Sequence, residues 1–336
     1  MAYSLMIDCC AHILPLKYKE VLYDLAPPSP NQRKNIDTLL TLFDMDYRFR
    51  LMDKYEGLVH VIIPSYPPIE KIPDKKTSTE LARIYNDEMA ELVLKYPDRF
   101  IAAVACLPMN DMDTALKEVD RAIQDLKFRG VMVYTPINDK PLDSTEFMPL
   151  FDKMSQYNLP IWIHPMRGPD YADYKSENRS LYEACRVYGW PYETSIAMHR
   201  LVFSGILQKY PNLKCITHHC GGMVPYLAER IEGFYDLNEM RRHGEYNTKL
   251  TKRPIDYFKL FYNDTALYGN VAALMCGYTF FGADNILFGT DMPHDNQLGD
   301  RYTRQTINAI EQMAISDLDR RKIFEDNARA LLRLPV

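Results

Sequence analysis

The most constraining feature of this 336-residue chain is a repeated alternation of short apolar segments with longer segments of helical periodicity. Alternation of this kind is typical of a parallel sheet whose strands are joined by crossover helices, and eight strands can close a (β/α)8 TIM barrel. The sequence therefore predicts an α/β fold, with one barrel domain over residues 1–336. The eight predicted strands are Ser4–Cys10, Gly57–Pro64, Arg99–Leu107, Gly130–Thr135, Leu159–His164, Leu213–His219, Phe258–Thr265 and Asn285–Asp291.

The segments between these strands include clear amphipathic helices, at Thr77–Tyr96, Asp113–Leu126 and Phe147–Tyr157. Two connections are unusually long, from Ile13 to about Arg50 and from Met166 to about Gly189. In a barrel both follow a strand, the first and the fifth, and emerge at the C-terminal face where active sites lie. We expect them to act as lid loops.

The charge balance argues against nucleic acid or membrane partners. The formal net charge is −5, and the 40 basic residues are interspersed with 45 acidic ones. No apolar run approaches the roughly 20 residues that span a bilayer, and no signal peptide is recognisable, so a cytoplasmic protein is expected. Seven cysteines without framework spacing are expected to be unpaired.

Polar residues stand at the ends of several predicted strands. Cys10 and His12 end the first, His164 the fifth, His219 the sixth and Asp291 the last. A single histidine or aspartate at such a place is more often a satisfied core or turn residue. In a parallel barrel, however, all these strand ends meet at one mouth, where imidazole and carboxylate groups could bind a divalent cation.

The motifs around these residues carry a family resemblance. Their order and spacing resemble the amidohydrolase-related superfamily, especially its decarboxylase branch, typified by aminocarboxymuconate semialdehyde decarboxylase and γ-resorcylate decarboxylase. The motifs are I-D-C-C-A-H-I-L-P from Ile7, I-W-I-H-P from Ile161, G-W-P-Y-E-T from Gly189, T-H-H-C-G-G-M-V-P from Thr217, I-L-F-G-T-D-M-P from Ile286 and D-N-A-R-A-L-L from Asp326.

The resemblance implies a site with one divalent metal ion, held by Cys10, His12, His164 and Asp291. It also implies that His219 is catalytic together with Asp291, whereas His218 would point to the opposite face of a regular strand. The family has histidine or glutamate where this chain has Cys10. Cys10 is therefore a thiolate ligand that favours zinc over manganese, or an apolar filler beside three ligands, or a sign that the metal has been lost.

The resemblance further implies a small aromatic or unsaturated carboxylic acid as substrate, decarboxylated with the help of the metal. Arg48, Arg167, Trp190 and His294 are the candidate substrate-binding residues, because arginine binds carboxylates bidentately and an indole can wall an aromatic ring. Metal-dependent hydrolysis of a lactone or amide is the alternative, and a non-catalytic binding barrel is a third possibility. Relatives are commonly dimeric, so a homodimer or higher homo-oligomer is expected.

Overall fold

The computed structural model describes residues 4–241 and 250–334, and its centre is a parallel β-barrel. The strands pair in the orders β1-β2-β3 and β4-β5-β6-β7-β8-β9. Only Val104 separates β3 from β4, and its amide donates to the carbonyl of Ile62 at 3.1 Å, so the two pieces form one barrel position. The strands are β1 (Met6–Ile13), β2 (Leu58–Pro64), β3 (Phe100–Ala103), β4 (Ala105–Cys106), β5 (Val131–Thr135), β6 (Pro160–Pro165), β7 (Lys214–Thr217), β8 (Tyr262–Asp264) and β9 (Ile286–Leu287).

The barrel closes between the first and last strand positions. The amide of Cys9 donates to the carbonyl of Phe288 at 2.8 Å, and that of His12 donates to Met292 at 3.0 Å. Ala11 and Met292 form a parallel bridge. These contacts confirm the predicted eight-position α/β barrel.

Helices occupy most of the connections between strands. The apolar positions Ala115, Val119 and Ala122 on α5 recur at helical spacing and are buried. The helices are α1 (Leu16–Leu25), α2 (Pro30–Thr38), α3 (Met45–Met52), α4 (Lys75–Lys95), α5 (Met112–Gln124), α6 (Met148–Tyr157), α7 (Trp190–Phe203), α8 (Ile206–Lys209), α9 (Ala228–Arg241), α10 (Pro254–Phe258), α11 (Val271–Phe281), α12 (Asp300–Gln312), α13 (Asp317–Arg321) and α14 (Asn327–Leu332). Within the described residues, no helix is both long and apolar enough to cross a bilayer.

The last three barrel strands are much shorter than the sequence predicts. The prediction began the seventh barrel strand at Phe258, but Phe258 ends α10, which starts on Pro254, a residue well suited to a first helical turn. Strand β7 ends at Thr217 and β9 at Leu287, before the polar residues that follow them. The backbone leaves the pleated conformation there, because His219 and Asp291 adopt φ values of 56° and 62°.

The barrel interior is filled by apolar side chains below the C-terminal mouth. Trp162 is fully buried at its centre, and its indole Nε1 donates to the carbonyl of Cys9 at 3.0 Å. The far end is covered by the last helices, from which Leu331 and Leu332 join the interior cluster. Glu325 fastens this cover to the start of β1 by accepting hydrogen bonds at 2.9 Å from the amide and the hydroxyl of Ser4.

Glu70, in the turn after β2, predicts a pH-dependent stability. Burial raises the pKa of its carboxyl from 4.5 to about 7, so folding is penalised once Glu70 must ionise, with no penalty below about pH 4.5 and the full penalty above about pH 7. We expect Glu70→Gln to raise the free energy of unfolding by about 1–3 kcal/mol at pH 8 and by less than about 1 kcal/mol at pH 5. Urea unfolding at both pH values checks this, with exposed Glu80→Gln as control. An equal effect at both would contradict it.

Candidate active site

A bulge in β1 brings the neighbouring residues Cys9 and Cys10 into the barrel interior, and His12 follows two residues after Cys10. The pairing of β1 with β2 shifts between Asp8 and Ala11, so Cys10 joins the interior cluster and His12 still reaches the mouth. Asp8 supports the bulge by accepting from the amides of Cys10 at 2.9 Å and Thr290 at 3.1 Å. Burial raises the pKa of Asp8 to about 6. Asp8 thereby holds the first strand against the segment that carries Asp291.

Three buried side chains form a first group of potential metal ligands. One donor atom each from His12, His164 and Asp291 lies within 4.8 Å of the other two, and His12 Nε2 is 3.3 Å from Asp291 Oδ1. The Nδ1 atoms of the two histidines lie 2.7 Å from the carbonyl of Pro64 and 2.8 Å from that of Pro165. A carbonyl only accepts, so Nδ1 carries the proton and Nε2 keeps a free lone pair, as in metal-binding histidines.

A second group shares His12 and lies beside the first. Cys10 Sγ is 3.2 Å from His218 Nδ1 and 3.9 Å from His12 Nε2, and the three donor atoms lie within 4.8 Å of one another. The sequence predicted that Cys10 groups with His164 and Asp291 and that His218 points away. The structure instead pairs Cys10 with His218, because β7 has already ended at Thr217 and strand alternation no longer applies.

Asp291 is the carboxylate on which the other side chains converge. Its Oδ2 accepts from the Tyr268 hydroxyl at 2.9 Å and lies 3.7 Å from His219 Nε2. Burial alone would raise the pKa of Asp291, but His12 and His219 outweigh it and hold the pKa well below its usual range. Burial alone would lower the pKa of His219, but Asp291 outweighs it, so the pKa is raised. The pair can therefore hold a proton on the imidazole beside an ionised carboxylate.

Aromatic side chains form the wall of the mouth. The Trp190 ring lies 5.5 Å from the His164 ring and 6.1 Å from the His219 ring, centroid to centroid. Its Nε1 donates to the carbonyl of Arg167 at 3.1 Å. The Arg167 guanidinium itself lies 2.6 Å from Glu193. His294 completes the wall at 5.1 Å from the His12 ring, and burial is the main cause that lowers the pKa of His294 to about 4.

Arg48 does not lie where the resemblance implied. It is fully buried, and its guanidinium donates to the carbonyl of His12 at 2.7 Å, to that of Thr41 at 3.1 Å and to that of Ala11 at 3.4 Å. Its Nε donates to His60 Nδ1 at 3.3 Å. Because these donors are used on the backbone of β1 and its neighbours, Arg48 supports the strand that carries Cys10 and His12 instead of presenting its charge to a substrate.

We expect Arg48→Met to destabilise the protein by about 2–4 kcal/mol, because several buried acceptors lose their donor at once. Urea unfolding measures this loss. Arg50→Met is the matched control, since Arg50 lies on the same helix but is exposed, and we expect a change within about 0.5 kcal/mol. A similar small change for Arg48→Met would show that these hydrogen bonds do not support the fold.

Sequence reasoning missed Tyr268 and Asp264. Tyr268 follows β8 and reaches Asp291 from a left-handed position, φ 52°. Asp264 ends β8, and its Oδ1 accepts from the amides of Cys220 at 3.2 Å and Ala266 at 3.0 Å. The predicted end of this strand, Thr265, is only one residue beyond its observed end at Asp264. The strand-end signal that pointed to Asp291 therefore applied to Asp264 as well, whereas Tyr268 lies four residues further on and gave no such signal.

Comparison with known proteins identifies relatives over nearly the whole chain. The amidohydrolase family profile matches residues 7–334. A γ-resorcylate decarboxylase from Polaromonas sp. (strain JS666 / ATCC BAA-500) is 31% identical over 300 residues, which cover 86% of this chain and 87% of the relative. A 2-amino-3-carboxymuconate-6-semialdehyde decarboxylase from Dictyostelium discoideum is 28% identical over 257 residues, covering 76% of this chain and 67% of the relative.

A solved structure shows the same fold. The dihydroxybenzoic acid decarboxylase from Polaromonas sp. JS666, with bound manganese and the inhibitor 2-nitroresorcinol, superposes with a TM-score of 0.78 at 28% identity, covering 98% of this chain and 97% of the other. The resemblance inferred from the motifs is thus confirmed by sequence and by fold. This chain belongs to the amidohydrolase family.

Proposed function

We propose that this protein is a metal-dependent decarboxylase, a carboxy-lyase that acts on a small aromatic carboxylic acid. The observation that carries the proposal is the grouping of His12, His164 and Asp291. His219 lies beside Asp291, and the Trp190 ring lies next to the rings of His164 and His219. The Polaromonas relatives described above are decarboxylases of aromatic acids by name. The arrangement offers a cation, a proton carrier and an aromatic wall at one mouth.

The donor atoms fit a divalent cation. His12, His164 and Asp291 would hold it, and their nitrogen and oxygen atoms suit zinc or manganese equally. Manganese is bound in the Polaromonas structure. The adjacent sulfur of Cys10 favours zinc in this chain. The cation supplies Lewis-acid binding of the substrate carboxylate or of an oxygen next to it.

The protein's own residues then orient the substrate and move one proton. Trp190 contacts the face of the aromatic ring, with Arg167 behind it and His294 on the opposite side. When the carbon–carboxyl bond breaks, its electron pair stays on the ring carbon and CO2 leaves, so that carbon must accept a proton. Asp291 delivers this proton, which it receives from His219, and the Tyr268 hydroxyl keeps the carboxylate oriented.

Release of CO2 tests the proposal directly. We would incubate the purified protein, loaded with zinc or with manganese, with 2,6-dihydroxybenzoate and a panel of hydroxybenzoates, and measure CO2 and the decarboxylated phenol. Turnover of at least one of these acids supports the proposal. Hydrolysis of lactones or amides in a parallel panel, without any CO2, would replace it by the hydrolase alternative. Binding of the acids without turnover of either panel would favour the non-catalytic barrel.

The domain organisation, lids, location and assembly of the protein are further parts of the proposal. We propose that residues 1–336 form one domain and that the connections after β1 and β6 act as lids. We also propose that the protein works in the cytoplasm, where its seven unpaired cysteines would stay reduced. We also propose a homodimer or higher homo-oligomer, supported by exposed apolar residues in the connection after β6: Tyr182, Val187, Tyr188 and Tyr192. Light scattering on the purified protein tests the assembly, and a monomer at micromolar concentration would refute it.

A further inference from the structure

The contact between Cys10 and His218 has no role in the reaction described above. Both side chains are buried, at 0% and 1% exposure, and a thiol and an imidazole meet there at 3.2 Å. The other ring nitrogen of His218, Nε2, has no hydrogen-bond partner within the described residues. Burying a thiol and an imidazole costs free energy unless their polar atoms have partners. The pair also adjoins His12, which already belongs to the first ligand group.

We propose that His218 is a further ligand of the cation, so that this chain binds its cation on one side through Cys10 and His218 and on the other through His164 and Asp291. His12 is common to both sides. The inference rests on the proposed metal dependence. It adds the Cys10 thiolate and the imidazole of His218, which directly follows β7, to the three residues assigned above. It makes the centre selective for thiophilic divalent cations such as zinc over manganese.

The distances within the second group are those of atoms that share a cation. A sulfur ligand at about 2.3 Å and a nitrogen ligand at about 2.0–2.1 Å from one zinc ion lie roughly 3–4 Å apart. The separations from Cys10 Sγ are 3.2 Å to His218 Nδ1 and 3.9 Å to His12 Nε2, both within that range. The third pair in the group lies within 4.8 Å.

The surroundings also favour a positive charge at this place. Asp264 Oδ2 is buried and lies 3.1 Å from His218 Nδ1, the same nitrogen that faces Cys10 Sγ. Gly289 lets Asp264 and Cys10 come close, since a Cβ there would lie 2.8 Å and 2.9 Å from their Cβ atoms. When the cation binds, the Cys10 thiol releases its proton to solvent and the thiolate is balanced by the cation.

Cobalt(II) absorption tests the proposal without relying on activity. We would strip the full-length protein of metal, reload it with cobalt(II), and record near-ultraviolet and visible spectra during titration. The wild type and Cys9→Ala should show an intense thiolate-to-cobalt band, which Cys10→Ala should lack. Cys9 is the matched control because it is a buried cysteine one residue away, whose Sγ is 3.6 Å from the carbonyl of Ile7.

Separate variants test the role of His218. His218→Ala should weaken cobalt binding at least about tenfold and change the visible spectrum, and added imidazole should restore both, whereas His199→Ala on α7 should change neither. X-ray absorption of the zinc-loaded wild type should show one sulfur at about 2.3 Å, and this measurement needs no variant if His218→Ala does not fold.

Two results would overturn the proposal while leaving the metal-dependent function intact. One is cobalt bound by the wild type without the thiolate band. The other is a folded His218→Ala variant with the affinity and spectrum of the wild type. Failure of the wild type to bind either cobalt or zinc would instead refute the proposed metal dependence itself, and this inference with it.

Discussion

Replacing Asp291 with asparagine should lower the turnover number by on the order of 10³-fold while the protein remains folded. Asparagine keeps the size of the side chain but has no negative charge, binds a cation poorly and cannot carry a proton. The variant also removes the carboxylate charge that lies 3.3 Å from His12 Nε2 and 3.7 Å from His219 Nε2. Steady-state decarboxylation, thermal unfolding and metal analysis on the same preparation separate these effects.

Asp295→Asn is the control for this prediction. Asp295 is a buried carboxylate on the same loop, but it accepts from the amides of Gln297, Gly299 and Tyr302 and so serves the turn into α12. We expect its turnover to stay within about tenfold of the wild type, because its contacts are to backbone amides. Retained turnover in Asp291→Asn would remove Asp291 from the proton transfer and leave His219 as the proton donor.

Replacing Trp162 with alanine should lower the free energy of unfolding by about 3–5 kcal/mol. The indole is fully buried at the centre of the barrel, and its loss leaves a cavity and an unpaired carbonyl at Cys9. The position of His164 should change as well, because Trp162 lies two residues before it on β6 and therefore on the same face of the strand. We expect weaker metal binding as well as lower stability.

Urea unfolding followed by circular dichroism measures the loss, and Trp162→Phe calibrates it. Phenylalanine fills most of the space but cannot donate to Cys9, so we expect a smaller cost of about 1–2 kcal/mol. Gly130 marks how tightly the indole is held, since a Cβ at that position would lie 2.6 Å from its ring. A cost below about 1 kcal/mol for Trp162→Ala would show that the barrel does not depend on this side chain.

The sequence predicts the barrel well because apolar runs and helical periods are local signals. Each predicted strand overlaps an observed one, and His12, His164, His219 and Asp291 meet as expected from their places at strand ends. The carbonyl groups of Pro64 and Pro165, which accept from His12 and His164, also lie at strand ends. Such residues are predictable because every parallel strand delivers its last residues to the same mouth.

The sequence fails where the backbone departs from regular structure. The bulge in β1 places Cys9 and Cys10 in the same interior cluster, and the early end of β7 brings His218 to Cys10, so period-2 alternation gives the wrong side for Cys9 and for His218. Arg48 was misjudged for another reason. An arginine near a carboxylate site suggests a substrate contact, but burial and three backbone carbonyls decide its role, and neither is visible in a local pattern.

The way the barrel is closed has a consequence for how the protein is made on the ribosome. The amides of Cys9 and His12 in β1 donate to the carbonyls of Phe288 and Met292, and Glu325 accepts from Ser4 just before the strand. These partners are synthesised hundreds of residues later, so β1 waits unsealed until translation has passed Glu325. Metal insertion before Asp291 has been synthesised would find only an incomplete set of donors.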